Sequence, residues 1–171
     1  MAELSTIENE YNGWYDYSDL ATASTPISIT GGGGYIALTN DGAGAYTSTT
    51  YKPTNDGDIW DVATDKFDFT DLAVGDRVSL RASFLLTTTS VNTEVDVILD
   101  MAQGDAINYT LQALDHNNHK TTVTDDPMTV SIDFYMGNAE TVANPAQIKI
   151  QSDLTCTVKV VGWYIQVQKR M

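Results

Sequence analysis

The sequence predicts an all-β protein, a jelly-roll-like antiparallel β-sandwich, and three observations carry that expectation. Apolar residues fall on every second position through several separate runs, the period that places them on one face of a strand. Turn-forming residues interrupt these runs at intervals of roughly 8–12 residues, the spacing of sandwiches and barrels. No stretch carries the period of a long helix or a repeat of fixed length. Counting the runs gives about eight to ten strands. Long loops at 31–34, 39–45, 115–126 and 137–145 fit Greek-key or jelly-roll crossings better than a meander.

The stretch from Phe67 to Met101 organises the chain. Val78, Leu80, Ala82, Phe84 and Leu86 share one face, and Val95, Val97, Leu99 and Met101 repeat the pattern after a break at 90–93. The short break suggests a β-hairpin in which Thr89 pairs with Glu94. Leu86 then faces Val97, Phe84 faces Leu99 and Ala82 faces Met101, with both apolar sets on one side, a register that burial enforces. Burying such side chains contributes roughly 1.5–3 kcal/mol each. The same register makes Leu85 and Ile98 partners on the outer face, an apolar pair that points to a subunit contact.

The other elements follow in order. Residues 1–25 read as an N-terminal arm or first edge strand, and 26–171 as the sandwich of a single domain. Ser5 to Glu8 offers a capping box for one helical turn. Tyr11, Trp14, Tyr15 and Tyr17 then cluster, either as aromatics plugging one end of the sandwich or as an arm or sugar platform. Pro26 to Thr30 is a short strand, and Gly31–Gly34 a wide turn, since no Lys-Ser/Thr follows to make a phosphate loop. Asn40-Asp41-Gly42 and Asn55-Asp56-Gly57 read as hairpin turns around a β-rich segment, Ala45–Tyr51. Trp60 is expected to point inward.

Asp56, Asp58, Asp61 and Asp65 offer oxygens to calcium, but the EF-hand spacing and its bidentate Glu are absent. Ile107, Tyr109, Leu111 and Ala113 alternate. Asp115–Lys120 reads as a polar loop holding His116 and His119 without a third metal ligand. Met128, Val130, Ile132, Phe134 and Met136 form a clean strand. Ile148 and Ile150 mark another, and Cys156 to Val167 the last. There the apolar parity flips at Val160-Val161 before Gly162, as a β-bulge would make it do.

Composition narrows the function. The 171 residues are 42% apolar and 19% charged, which suits one folded domain. No apolar run reaches membrane-span length, and a single cysteine excludes an internal disulfide framework. Nine basic against 23 acidic residues give a net charge of −14, which repels nucleic acid and anionic membrane. No nucleophile elbow, zinc-protease motif or nucleotide fingerprint is present. Acid pairs such as Asp125/Asp126 and Asp96/Asp100 are common in so acidic a chain. No catalytic residue, metal or cofactor is expected.

The chain resembles the jelly-roll virion proteins of tailed bacteriophages, small head-decoration (cement) and head-fibre proteins. The residues that carry the resemblance are Trp14–Thr22, Leu38–Gly44, Phe67-Asp68-Phe69 with Leu72 and Gly75-Asp76, Tyr135-Met136-Gly137, and Gly162-Trp163-Tyr164. It implies a homotrimer on the outer capsid surface that binds the major capsid protein, made in the host cytoplasm and not secreted. The expected contact residues are Leu85, Ile98, Trp14, Tyr15 and Tyr17. A second reading is a carbohydrate-binding module of a fibre or tail gripping a host glycan. Trp14, Tyr15, Tyr46, Tyr51 and Trp60 would then supply the aromatic faces, and their exposure discriminates the two.

Overall fold

A computed structural model describes residues 10–105 and 109–171, side chains 110–115 excepted. The Ser5–Glu8 capping box and Ile107 lie outside the described residues. Among the described residues there are eleven strands, many of them where apolar alternation marks them: β1 (Asn12–Ser18), β2 (Ile27–Ile29), β3 (Ile36–Ala37), β4 (Trp60–Asp61), β5 (Lys66–Phe67), β6 (Arg77–Thr88), β7 (Thr93–Met101), β8 (Tyr109–His119), β9 (Asp126–Tyr135), β10 (Gln147–Ser152) and β11 (Cys156–Gln168). The short helices α1 (Ala21–Ser24) and α2 (Ala139–Ala143) sit in loops.

The strands form two facing antiparallel sheets. One runs β1-β11-β6-β9, with β2 also paired to β11, and the other runs β3-β10-β7-β8. The chain changes sheet at β2–β3, from β3 to β6 by way of the separate β4–β5 pair, and at β6–β7, β8–β9, β9–β10 and β10–β11, the repeated crossing of a jelly roll. Between the sheets lies one apolar cluster that includes Tyr15, Leu80, Phe84, Leu86, Val97, Leu99, Ile148, Ile150, Val158 and Trp163. Cys156 is part of it, 1% exposed, and burial pushes its thiol pKa up.

The β6–β7 hairpin is corrected. These strands belong to different sheets, and 89–92 arches between them. Phe84 pairs with Val160 and Met128, while Leu99 pairs with Ile148 and Leu111. Alternation fixes which side of a strand is buried, and either arrangement buries the same residues. The arch lets the two apolar faces cover each other directly, whereas a hairpin would leave both awaiting a second sheet.

Three further expectations change. Ala45–Tyr51 is not a strand but part of a long loop lying along the free edge of β1. Asp16 and Ser48 exchange backbone hydrogen bonds of 2.9 and 2.8 Å, and Trp14 N donates to Tyr51 O at 3.0 Å. Covering an edge this way blocks pairing with another chain. The Asn40 and Asn55 segments turn, with positive φ at Gly42 and Asn55, but join no paired strands. Asn40 is 1% exposed because its amide donates to Tyr17 O and its carbonyl accepts from Trp60 Nε1, both at 2.8 Å. Asp115–His119 belong to β8, not to a loop.

The β4–β5 pair plugs one end of the sandwich. Trp60 points inward, its ring centroid 4.8 Å from Phe67 and 5.7 Å from Trp163. The bulge lies where parity flips, between Val160 and Gly162. It leaves Val161 47% exposed, turns Trp163 into the core and puts Tyr164 on the outer face. Gly162 is required there, since a Cβ would stand 2.6 Å from Tyr17 O.

Candidate functional site

The outer face of the β1-β11-β6-β9 sheet carries rows of exposed polar, charged and aromatic side chains. Because partners in register share a face, its side chains form rows across the strands. One row is Asn12, Gln168, Arg77 and Tyr135; the next is Trp14, Gln166, Ser79 and Asp133; the third is Asp16, Tyr164, Arg81 and Ser131. Farther along β6, Leu85 lies between Lys159 and Pro127.

Within this face the Arg81 guanidinium lies 5.1 Å above the Tyr164 ring. Burial raises the Asp16 carboxyl pKa and the charge of Arg81 pulls it back. Ser79 Oγ donates to Asp133 at 2.5 Å. Trp14 stacks on Tyr51 at 4.7 Å and 22°, so the loop covering the β1 edge also supplies an aromatic. Hollows indent the face. One of about 290 Å³ is lined chiefly by Arg77, Ser79, Asp133, Tyr135, Gln166 and Gln168. Another, about 200 Å³, lies among Asp16, Tyr46, Arg81, Val161 and Tyr164.

The five expected contact residues do not share a surface, which is a correction. Trp14, 41% exposed, and half-buried Leu85 lie on this outer face. Tyr15 and Tyr17 point the other way into the core, because alternation along β1 sends them there. Burial pushes the Tyr17 phenol pKa up to about 12. Ile98 lies on the other sheet beside Lys149, 5% exposed and outside the main core cluster. Leu85 and Ile98 are thus on different sheets rather than paired. Of the sugar-platform candidates, Tyr15 and Trp60 are buried, whereas Trp14, Tyr46 and Tyr51 are exposed.

The acidic and histidine candidates are spoken for individually. Asp56 pairs with Lys169 and Asp58 with Lys52, Asp61 accepts from Ala63 N and Thr64, and Asp65 accepts from Asn40 N. Desolvation raises the Asp56 pKa despite its lysine. His116 pairs with Asp96, and His119 Nδ1 lies 3.6 Å from Asp126. Asp100 bonds Lys149 and Asp125 bonds Lys159. Among the described residues no group of three acidic, histidine or cysteine side chains is placed to hold a metal ion.

Sequence reasoning missed Arg77, Tyr135, Gln166 and Gln168 as a group. Each occupies an outward position of an alternating run, which was the available signal. Their meeting depends on β6 lying between β11 and β9.

No family model matches the chain, and no curated protein matches it in sequence. Solved structures share its fold. The VP2 protein of an infectious bursal disease virus subviral particle superposes with a TM-score of 0.53 at 13% identity, over 92% of this chain and 33% of VP2. A structure of T=1 particles derived from infectious bursal virus gives 0.51 at 12% identity, over 92% of this chain and 32% of the other. Eiger TNF from S. frugiperda gives 0.53 at 9% identity, over 94% of both chains. The chain spans about one third of the length of these two viral-particle chains. At these identities the likeness establishes the fold, and the chain is a jelly-roll sandwich.

Proposed function

We propose that this chain is a non-enzymatic structural subunit of a virus particle, a head-decoration protein of a tailed bacteriophage. It acts as a homotrimer that binds the major capsid protein at the outer capsid surface. The observation that carries the reading is the apolar end of the outer face. Leu85 stands between Pro127 and Lys159, Val161 is pushed outward by the bulge, and Tyr46 is 81% exposed beside it. Contact cores want such apolar and aromatic side chains with few charges. The surrounding acidity keeps the free subunit soluble, and the jelly roll is the fold it shares with VP2 of a viral particle.

The test is co-sedimentation of the protein with phage heads that lack it, alongside its native mass. Saturable binding of a trimer is expected. Leu85→Asp combined with Val161→Asp should abolish binding while far-UV circular dichroism stays unchanged. A monomer that never pellets with heads refutes the proposal.

A further inference from the structure

We propose that the opposite end of the same outer face, the 290 Å³ hollow around Arg77 and Gln166, is a binding site for a neutral oligosaccharide. It does not rest on the virion reading. Arg77 and Leu85 are eight residues apart on one strand, about 26 Å at strand rise. Contacts at the apolar end therefore leave this end uncovered.

Four features select the ligand. The floor is centred on β6 and β11, each hydrogen-bonded on both sides, so neither offers a backbone edge to which a peptide strand could add. Over this floor recognition comes from side chains. Those present mix donors with acceptors: Gln166 and Gln168 amides offer both, Arg77 donates, and Asp133 accepts. Asp133 uses one oxygen on Ser79, which leaves the other to accept from a hydroxyl. Vicinal sugar hydroxyls, each a donor and an acceptor, match such a set.

The charge balances locally. Arg77 and Asp133 are the two ionised groups lining the hollow, and they cancel, while the whole chain carries −14. A polyanionic ligand would gain nothing in the hollow and be repelled by the rest of the molecule. A neutral sugar escapes both penalties.

The wall is aromatic. Tyr135 is 66% exposed beside Arg77, with no core role, and gives the apolar face of a pyranose ring a surface to lie on. The neighbouring row begins at Trp14, itself stacked on Tyr51. A second copy of the chain is the poorer occupant, because this hollow has no apolar centre of the kind that an interface core needs. Leu85 and Val161 supply that at the other end.

Isothermal titration with cellohexaose, xylohexaose, mannohexaose and maltohexaose, with trigalacturonic acid as the charged control, tests the site. At least one neutral hexasaccharide should bind. Tyr135→Ala and Gln166→Ala should each weaken it about tenfold or more, while Leu85→Asp leaves it unchanged. Thermal melts confirm that the variants fold; these are surface side chains, and Gln166→Glu serves where a truncation proves unstable. The proposal is overturned by silence from all four neutral sugars, by binding that Tyr135→Ala does not affect, or by preference for the acidic oligomer. Failure here leaves the co-sedimentation result untouched, and the reverse holds equally.

Discussion

Replacing Gly162 by alanine tests the geometry on which both faces of β11 depend. The added Cβ would stand 2.6 Å from the Tyr17 carbonyl oxygen and 3.1 Å from Ser18 Cα, where β1 crosses the bulge. Both are backbone atoms, so no side chain can swing aside. Relief needs a shift of β1 or flattening of the bulge, by about half an ångström or more against a well-packed neighbour. Either movement disturbs Tyr15, Tyr17 and Trp163, all buried. Overpacking of this kind costs roughly 1–3 kcal/mol. Gly34 is the matched control: a Cβ there meets nothing within 4 Å and its φ is not left-handed. Gly34→Ala should be neutral or stabilise by up to about 1 kcal/mol, through the unfolded chain. Urea unfolding of both variants reads the difference as a shift in midpoint at constant slope. A Gly162→Ala variant as stable as the wild type would refute the close approach of β1 and with it the bulge geometry.

Two other outcomes follow from the structure. Phe67, fully buried, has Trp60 at 4.8 Å, Phe69 at 6.2 Å and Trp163 at 6.4 Å, so Phe67→Ala should cost roughly 3–5 kcal/mol. Tryptophan emission should shift red in the folded variant, and an unchanged spectrum with full stability would show that the plug is not packed as described. The Asp96 carboxyl is held below its ordinary 3.8 by the His116 ring and then by the Gln151 amide. Its folded value is therefore the lower one, so its contribution is present above pH 3.8 and fades as pH falls through the lowered value. Asp96→Asn should cost under about 1 kcal/mol at neutral pH, because the pair is largely exposed. Denaturation curves taken toward acid should converge for the two proteins, and a gap constant with pH would contradict the assignment.

How much of this was legible in the sequence depends on what each signal encodes. Alternation located β6, β7, β9, β10 and β11 and named their buried faces, because a period of two is a property of one strand in isolation. The parity flip at Val160-Val161 located the bulge for the same reason. Pairing was another matter. Phe84 is equally buried opposite Leu99 or opposite Val160, so burial did not choose between a hairpin and an arch. The choice falls to the whole sandwich, in which β11 and β10 compete for the edges of β6 and β7.

The site shows the same division. The sequence by itself determined that the chain is all-β and acidic, and that Tyr15 and Tyr17 share a side of β1. It did not determine that they share the buried side, nor that Ala45–Tyr51 lies beside β1 as a loop rather than as a strand. Only the tertiary structure decided which outward residues become neighbours. Arg77, Gln166 and Asp133 lie 33 to 89 positions apart in the chain, and they meet because β11, β6 and β9 adjoin in one sheet. A strand carries in its own sequence the side it will bury, but its neighbours are set by the competition of every strand for every edge.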